Sequence, residues 1–261
     1  MTLFSAAGDA AACLTAHRCA EAALFMREHM LSVVSHDLRG PLNAIHSWAY
    51  VLERKIASAD PGVQRALDGI RHGVEQQLKL LETRVDGPRA QIGARLLRRQ
   101  PVALQALFDE IVTEVHEALA RERQVVLEVA ALPPGTLAQV DGDPGQIANA
   151  LWLMLVFAVE SSVSATRVSL SASVDAPAQA WCVTVEFQAL PAALTDPALP
   201  HLLEAYARQQ AQEPLDAGQA AWVLTLCRRV AQAHDGRFEQ QAAVAPGQAA
   251  TLRLWLPLAS A

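Results

Sequence analysis

A histidine and an aspartate lie side by side within residues 30–45, whose sequence is MLSVVSHDLRGPLNAI. They are His36 and Asp37. A neighbouring carboxylate can hold one ring nitrogen of an imidazole protonated and leave the other basic, which suits a nucleophile or an acid–base pair. A solvated histidine on a helix surface is the alternative interpretation, and the residue types alone leave both open.

Two long helices are predicted to position this histidine. Apolar residues recur at intervals of three and four over residues 14–56 and again over 63–86, which is the pattern of amphipathic helices. Gly40 and Pro41 interrupt the first helix, and because the pattern resumes after them we expect a kink rather than an end. An Asp-Pro-Gly turn at 60–62 joins the two into an antiparallel hairpin. Each helix keeps an apolar stripe that one partner cannot cover, so we expect two chains to pair as a four-helix bundle.

The second half of the chain has a different pattern, and the whole is predicted to be an α+β protein. A break rich in arginine and glycine separates the hairpin from an alternation of helices and strands, which predicts an α/β sandwich with helices on one face of a mixed sheet. The predicted helices cover residues 103–122, 144–161 and 216–234, and the predicted strands cover 125–129, 137–140, 167–174, 181–187, 237–244 and 249–256. We therefore divide the chain into an N-terminal segment (1–13), a hairpin (14–88), a linker (89–102) and a sandwich domain (103–261).

Composition excludes several classes of protein. The net charge is −6, whereas a nucleic-acid binder needs a basic surface to neutralise phosphates. The most apolar run, at 147–159, is too short to span a bilayer, and charged residues interrupt any signal-peptide core near the N-terminus. The four cysteines lack close metal-ligand spacing and are interpreted as free thiols of a reducing compartment. We therefore expect a cytoplasmic protein that binds neither nucleic acid nor membrane.

The motif SHDLRGPLNAI (35–45) resembles the phosphoacceptor box of the sensor histidine kinases of two-component systems. The segment RRQPVAL (98–104) continues the resemblance toward the nucleotide-binding domain of that family. The resemblance implies that His36 is phosphorylated on its imidazole and that Asp37 is the catalytic partner that orients and activates it. Pro41 would open the helix so that the ring can be reached.

One position of the box departs from the family. Many relatives have threonine or asparagine four residues after the histidine, where the side chain positions the water that dephosphorylates a partner regulator. Gly40 occupies that position and has no side chain. We therefore expect phosphatase activity by this route to be weak or absent.

The asparagine box of the family corresponds to residues 141–162, but its polar groups are missing. The family places two asparagines and a lysine where this chain has Leu153, Phe157 and Glu160. In relatives these side chains contact the phosphates and hold Mg²⁺, which needs hard oxygen ligands that phenylalanine lacks. Glu160 would repel a triphosphate if it faced the site.

The other two nucleotide boxes are lost as well. Phe187 stands where the family has the aspartate that recognises adenine, and Glu186 should point to the opposite face of the strand. The glycine-rich loop falls on residues 219–224, where side chains would block the approach of phosphate to bare backbone amides. We expect Trp152 and Trp222 to fill the former cavity. The sandwich is therefore interpreted as a degenerate ATPase-like domain with no bound cofactor.

These features favour a homodimeric phosphotransfer protein. It would exchange a phosphoryl group between His36 and the aspartate of a response-regulator receiver domain, with Mg²⁺ on the receiver and an upstream kinase as a further partner. An active histidine kinase with a divergent ATP site is one alternative. A non-catalytic protein that binds a kinase or regulator is the other. The N-terminal segment is too short for a sensor domain, so we expect the input to come from a phosphodonor or another subunit.

Overall fold

The computed structural model describes residues 3–55, 61–86, 97–130, 139–175, 179–211, 222–241 and 249–259. The α-helices are α1 (Leu3–Lys55), α2 (Pro61–Leu81), α3 (Leu104–Val115), α4 (Pro144–Glu160), α5 (Ala205–Gln210) and α6 (Thr225–Ala233). The strands are β1 (Gln100–Ala103), β2 (Val126–Val129), β3 (Gln139–Gly142), β4 (Arg167–Asp175), β5 (Ala180–Phe187), β6 (Arg237–Gln241) and β7 (Ala250–Pro257). None of the helices within these residues combines the length and apolar character that a bilayer span requires.

The chain divides into two compact units, of which the first covers residues 27–96. It contains the second half of α1, all of α2 and a π-helical turn at Glu82–Asp86, which confirms the predicted helical hairpin. Helix α1 continues through Pro41, as expected, and the bend at that proline stays a prediction. A salt bridge of 3.2 Å joins Arg71 of α2 to Glu53 of α1.

The second unit combines residues 1–26 with residues 97–261. The described start of α1 therefore belongs with the sandwich, whereas the sequence pattern placed residues 14–26 with the hairpin. Five strands form one sheet in the order β2-β4-β5-β7-β6, with β2 and β4 parallel and the other neighbours antiparallel. Strands β1 and β3 form a separate antiparallel pair. The α+β fold expected from the sequence is confirmed.

Helix α4 is the centre of the second unit. Asp143 caps its N-terminus by accepting hydrogen bonds from the backbone amides of Gly145 and Gln146, and Pro144 fits the first helical turn. From Ile147 onward almost every side chain of α4 is buried, so this helix is apolar on all sides rather than amphipathic. Helix α3 covers it with one apolar face, formed by Leu104, Phe108, Ile111 and Val115.

Two glycines allow close contacts that fix α6 against the strands. A Cβ atom on Gly236 would clash with the carbonyl oxygen of Trp255, and one on Gly142 would lie 2.7 Å from the ring of His234. The ring of His234 donates from Nδ1 to the carbonyl of Val230 at 2.8 Å and accepts at Nε2 from the amide of Asp143 at 2.9 Å. This neutral imidazole therefore links the end of α6 to the start of α4.

The predicted elements differ from the structure mainly at short segments. Strand β1 and helix α5 were not predicted, because a four-residue strand and a six-residue helix carry little periodicity. The last predicted helix is shorter: α6 starts at Thr225, after a 3₁₀ turn at Trp222–Leu224. Residues 216–221 of that prediction, and most of the predicted linker, lie outside the described residues.

Candidate functional site

His36 lies on the exposed surface of α1. Its side chain is 87 % exposed and that of Asp37 is 70 % exposed, and 3.3 Å separates His36 Nδ1 from Asp37 Oδ1. When Nδ1 carries the proton it donates to this carboxylate, and Nε2 then keeps a lone pair. The structure thus places the two predicted residues together, with an imidazole that a second macromolecule can reach.

Gly40 lies one turn after His36 and leaves open space beside the helix. A Cβ atom built there meets no other atom within 4 Å. Room for a side chain is therefore present, and the position lacks only the polar group that the family uses to orient water.

Phe157 and Phe187 occupy two of the positions where the family has polar nucleotide ligands, and here they contact each other. Their ring centroids are 6.2 Å apart and their planes are at 90°, which is a T-shaped aromatic pair. The residues are 5 % and 2 % exposed, and neighbouring Leu153 is buried too. Because no oxygen or nitrogen ligand is present at these positions, the side chains do not fit a Mg²⁺–nucleotide complex of the family's kind.

Strand β5 orients its end as the alternation predicted. Phe187 is buried, whereas Glu186 is exposed on the opposite face of the strand. Glu186 therefore does not replace the missing aspartate.

Trp152 is buried in α4 with no hydrogen-bond partner for its indole nitrogen among the described residues. The side chain of Trp222 and residues 219–221 of the loop lie outside the described part, while Val223 of the same loop is buried.

Glu160 supports the protein backbone from the interior. Its fully buried carboxylate accepts hydrogen bonds at Oε1 from the amides of Leu202, at 2.6 Å, and Leu203, at 2.9 Å. Oε2 lies 3.1 Å from Nδ1 of His201, and Nε2 of the same ring lies 3.0 Å from the carbonyl oxygen of Asp196. The expected repulsion between Glu160 and a phosphate required the carboxylate to face the site. The carboxylate instead points toward these two amides and the ring of His201.

The ring of His201 bridges two parts of the second unit. Its Nδ1 faces the carboxylate of Glu160 and its Nε2 faces the backbone carbonyl of Asp196. The ring therefore fixes residues 196–203 to the end of α4.

Arg123 binds the same segment and was not recognised from the sequence pattern. Its guanidinium is almost fully buried and donates to the carbonyl oxygens of Pro200, Glu160 and Ser162 at 2.9, 2.8 and 3.2 Å. Burial lowers the pKa of this guanidinium, which the nearby Glu160 carboxylate partly offsets. Its partners lie 37 to 77 residues away, so no local pattern marks the residue.

The described cysteines are free thiols, of which Cys13 is exposed, Cys19 half-buried, and Cys182 and Cys227 buried. Burial raises the pKa of both buried thiols. Within the described residues, histidine, cysteine, aspartate and glutamate form no group of three that could hold a metal ion.

Comparisons with known proteins agree with these observations. Residues 26–84 match the family model of the His Kinase A (phospho-acceptor) domain. A crystal structure of a histidine kinase from Burkholderia phymatum STM815 is 50 % identical, with a TM-score of 0.75, and the match covers 94 % of this chain and 98 % of that one.

Two further solved structures resemble the chain more weakly. Full-length ShkA in complex with AMPPNP is 20 % identical with a TM-score of 0.47, over 89 % of this chain and 46 % of that one. The Acinetobacter baumannii histidine kinase AdeS is 13 % identical with a TM-score of 0.43, over 86 % and 98 %. No curated protein matches the chain.

Proposed function

Because the chain belongs to the histidine kinase family, we propose that it acts in two-component signalling as a phosphotransfer protein. In this proposal His36 exchanges a phosphoryl group with the aspartate of a response-regulator receiver domain, and the chain binds little or no ATP. The single observation that carries the proposal is the contrast between an exposed His36–Asp37 pair and an aromatic pair at the nucleotide positions.

The exposed histidine supports the chemical step. Nε2 of His36 would attack the phosphorus of a receiver's aspartyl phosphate, forming an N–P bond while the P–O bond to the aspartate breaks and its electron pair returns to the carboxylate. Asp37 would hold the proton on Nδ1, so that the positive charge developing on the ring is balanced by an adjacent carboxylate. Mg²⁺, as the charge-neutralising ion of the reaction, would be held by the receiver.

The buried positions of α4 and β5 support the second half of the proposal. Catalysis of phosphoryl transfer from ATP depends on positioning and on neutralising the charge of the phosphates. Phe157 and Phe187 supply neither, and Glu160 uses both of its carboxylate oxygens on protein groups. ATP would therefore have to displace a packed aromatic pair before meeting any ligand.

Exposed apolar side chains on the hairpin support the homodimer. A helical hairpin alone leaves an apolar face in water, and a second hairpin covers it in a four-helix bundle. The exposed apolar residues of this unit include Leu31, Val34, Leu38, Ile45, Trp48, Leu52, Ile70 and Leu80. A dimer would present two copies of His36.

The proposal is tested by offering the protein a panel of receiver domains carrying labelled phosphate, and labelled Mg·ATP in a parallel reaction. We expect label on His36 from at least one receiver and none from ATP. Autophosphorylation from ATP would instead identify an active kinase with a divergent site. Signalling that is unchanged by His36→Ala in the cell would favour the non-catalytic binding partner.

A further inference from the structure

We propose that residues 15–26 of α1, here called the strap, form a contact that covers Leu202, Leu203 and Val223 of the second unit and can detach while the rest of that unit stays folded. The strap belongs to the same compact unit as these residues. The inference goes beyond the proposed function, since it holds for either direction of phosphoryl transfer.

A buried polar cluster attaches the first turns of the strap. Arg18 donates from Nε to Glu114 of α3 at 3.0 Å and from Nη1 to the side-chain oxygen of Asn149 of α4 at 2.8 Å. Thr15 donates to the other oxygen of Glu114 at 3.1 Å. The side chains of Arg18 and Glu114 are 7 % and 6 % exposed, so this ion pair is removed from water. A buried pair of this kind holds strongly because either charge alone would be left without a partner.

Apolar side chains attach the second half of the strap. Ala22 and Met26 are buried in the core of the second unit, and the guanidinium of Arg229 on α6 lies 5.7 Å from the ring of Phe25. Between the strap and the opposite wall remains a cavity of about 10 Å³, enough for about one water molecule. Its lining includes Cys19, Ala22, Met26, Leu203, Ala207 and Val223.

The opposite wall includes residues close to positions that the family resemblance assigns to nucleotide binding. Val223 belongs to the loop that is glycine-rich in the family, and Leu202 and Leu203 are the residues whose amides Glu160 binds. Residues 202–203 are thus fixed by Glu160 through their backbone, while the same short segment lines the contact with the strap. The apolar residues at the family's ligand positions and the strap that covers this wall would each oppose nucleotide binding. Neither effect depends on the other.

The chain's own cysteines provide a test of the strap. Cys13 is exposed on the preceding turn of α1, Cys19 lies within the contact, and Cys227 is fully buried in the core, where it reports unfolding of the unit. Burial, together with the nearby negative charges of Glu160 and Glu114, raises the pKa of the Cys19 thiol. Because the thiolate is the reactive form, both effects slow alkylation of Cys19 while the strap is attached.

The experiment follows maleimide labelling of each cysteine by mass spectrometry in the full chain. In the wild type we expect Cys19 to react at least about tenfold more slowly than Cys13. Arg18→Glu places two carboxylates together and should accelerate Cys19 about tenfold or more, with Cys13 and Cys227 unchanged. The double variant Arg18→Glu/Glu114→Arg restores an ion pair and should restore slow labelling, and His17→Ala on the exposed side of the helix is the matched control.

Hydrogen exchange of residues 202–207 provides the second measurement, and Arg18→Glu should accelerate it while the amides of β5 keep their protection. Equal labelling rates for Cys13 and Cys19 in the wild type would overturn the proposal. So would unchanged labelling of Cys19 in Arg18→Glu, or acceleration of Cys19 and Cys227 by the same factor, because the strap would then not detach separately from the rest of the unit.

Discussion

The two units of this chain differ in whether the side chains at the positions of the family's motifs are exposed or buried. In the hairpin, the side chains of His36 and Asp37 are exposed, and 3.3 Å separates His36 Nδ1 from Asp37 Oδ1. In the second unit, Phe157 and Phe187 are buried and packed together at positions that are polar in the family. One unit exposes an imidazole to solvent, whereas the other buries apolar side chains at these positions.

The difference shows that a fold and its site are held by different residues. The apolar pattern of α3, α4 and the sheet builds a well-packed unit without any contribution from a nucleotide. Polar ligands in a binding cavity are costly to bury when no ligand satisfies them, so replacing them with apolar side chains stabilises the empty fold. In the hairpin, an exposed histidine carries no such penalty and can be retained.

The largest effect is expected at the reactive residue. His36→Gln keeps a polar side chain of similar length on the helix surface but removes the nucleophilic nitrogen, and should lower phosphoryl exchange with a receiver at least about a thousandfold. His72→Gln on α2, which is also exposed, is the matched control and should keep wild-type exchange. Radiolabel transfer from a phosphorylated receiver measures both. Equal exchange in the two variants would refute the role of His36.

Restoring a polar ligand in the second unit should unfold it rather than reactivate it. Phe157→Asn removes the aromatic pair and buries an amide, and should lower the free energy of unfolding by about 4 kcal/mol. Phe157→Leu keeps the site apolar and should cost about 1.5 kcal/mol. Denaturant titration measures both values, and calorimetry with Mg·ATP should detect no binding. If the asparagine variant kept wild-type stability and bound ATP, the nucleotide site would be repairable and the aromatic pair would not be needed for the fold.

Glu160 tests whether the charge at the end of α4 has become structural. Glu160→Lys restores the charge sign of the family but buries a cation against the amides of residues 202–203 and the ring of His201, and should cost about 4 kcal/mol. Glu160→Gln keeps an acceptor oxygen for the amides and should cost about 1 to 2 kcal/mol. Thermal unfolding ranks the two variants, and a lysine variant as stable as the wild type would show that the carboxylate is dispensable.

The smallest effect is expected at Gly40, four residues after His36. Gly40→Asn fits the open space there and supplies the side chain that relatives use to orient water, so we expect a few-fold faster dephosphorylation of a phosphorylated receiver. Gly73→Asn on α2 also has open space and controls for the gain in helix propensity, which is a few tenths of a kcal/mol. Equal rates in both variants would show that the missing side chain does not limit phosphatase activity.

Local patterns in the sequence were sufficient for the hairpin and for the faces of the strands. The three- and four-residue periodicity predicted α2 and the part of α1 from residue 14 onward, and the alternation of a strand predicted that Glu186 and Phe187 lie on opposite faces. The loss of nucleotide ligands could be recognised because the family motif assigns a residue type to each position. The structure adds that Phe157 and Phe187 meet, which depends on how α4 packs on β5.

Long-range polar contacts could not be predicted. Arg18 and its partner Asn149 are 131 residues apart, and Glu160 binds amides more than 40 residues away. Arginine and glutamate side chains on a helix are ordinarily solvated, so these residue types predict exposure. Their burial could be recognised only from the positions of their distant partners. The same reason explains why residues 14–26 were assigned to the hairpin by periodicity, although their buried face packs on the second unit.

Phosphoryl exchange through His36 without the use of ATP is tested by measuring the occupancy of phosphohistidine at His36. Intact-protein mass spectrometry after incubation with Mg·ATP, and separately with a panel of phosphorylated receivers, gives both values for one preparation. We predict no phosphohistidine from ATP and measurable phosphohistidine at His36 from a receiver. Phosphohistidine formed from Mg·ATP alone would show instead that the chain is an active kinase.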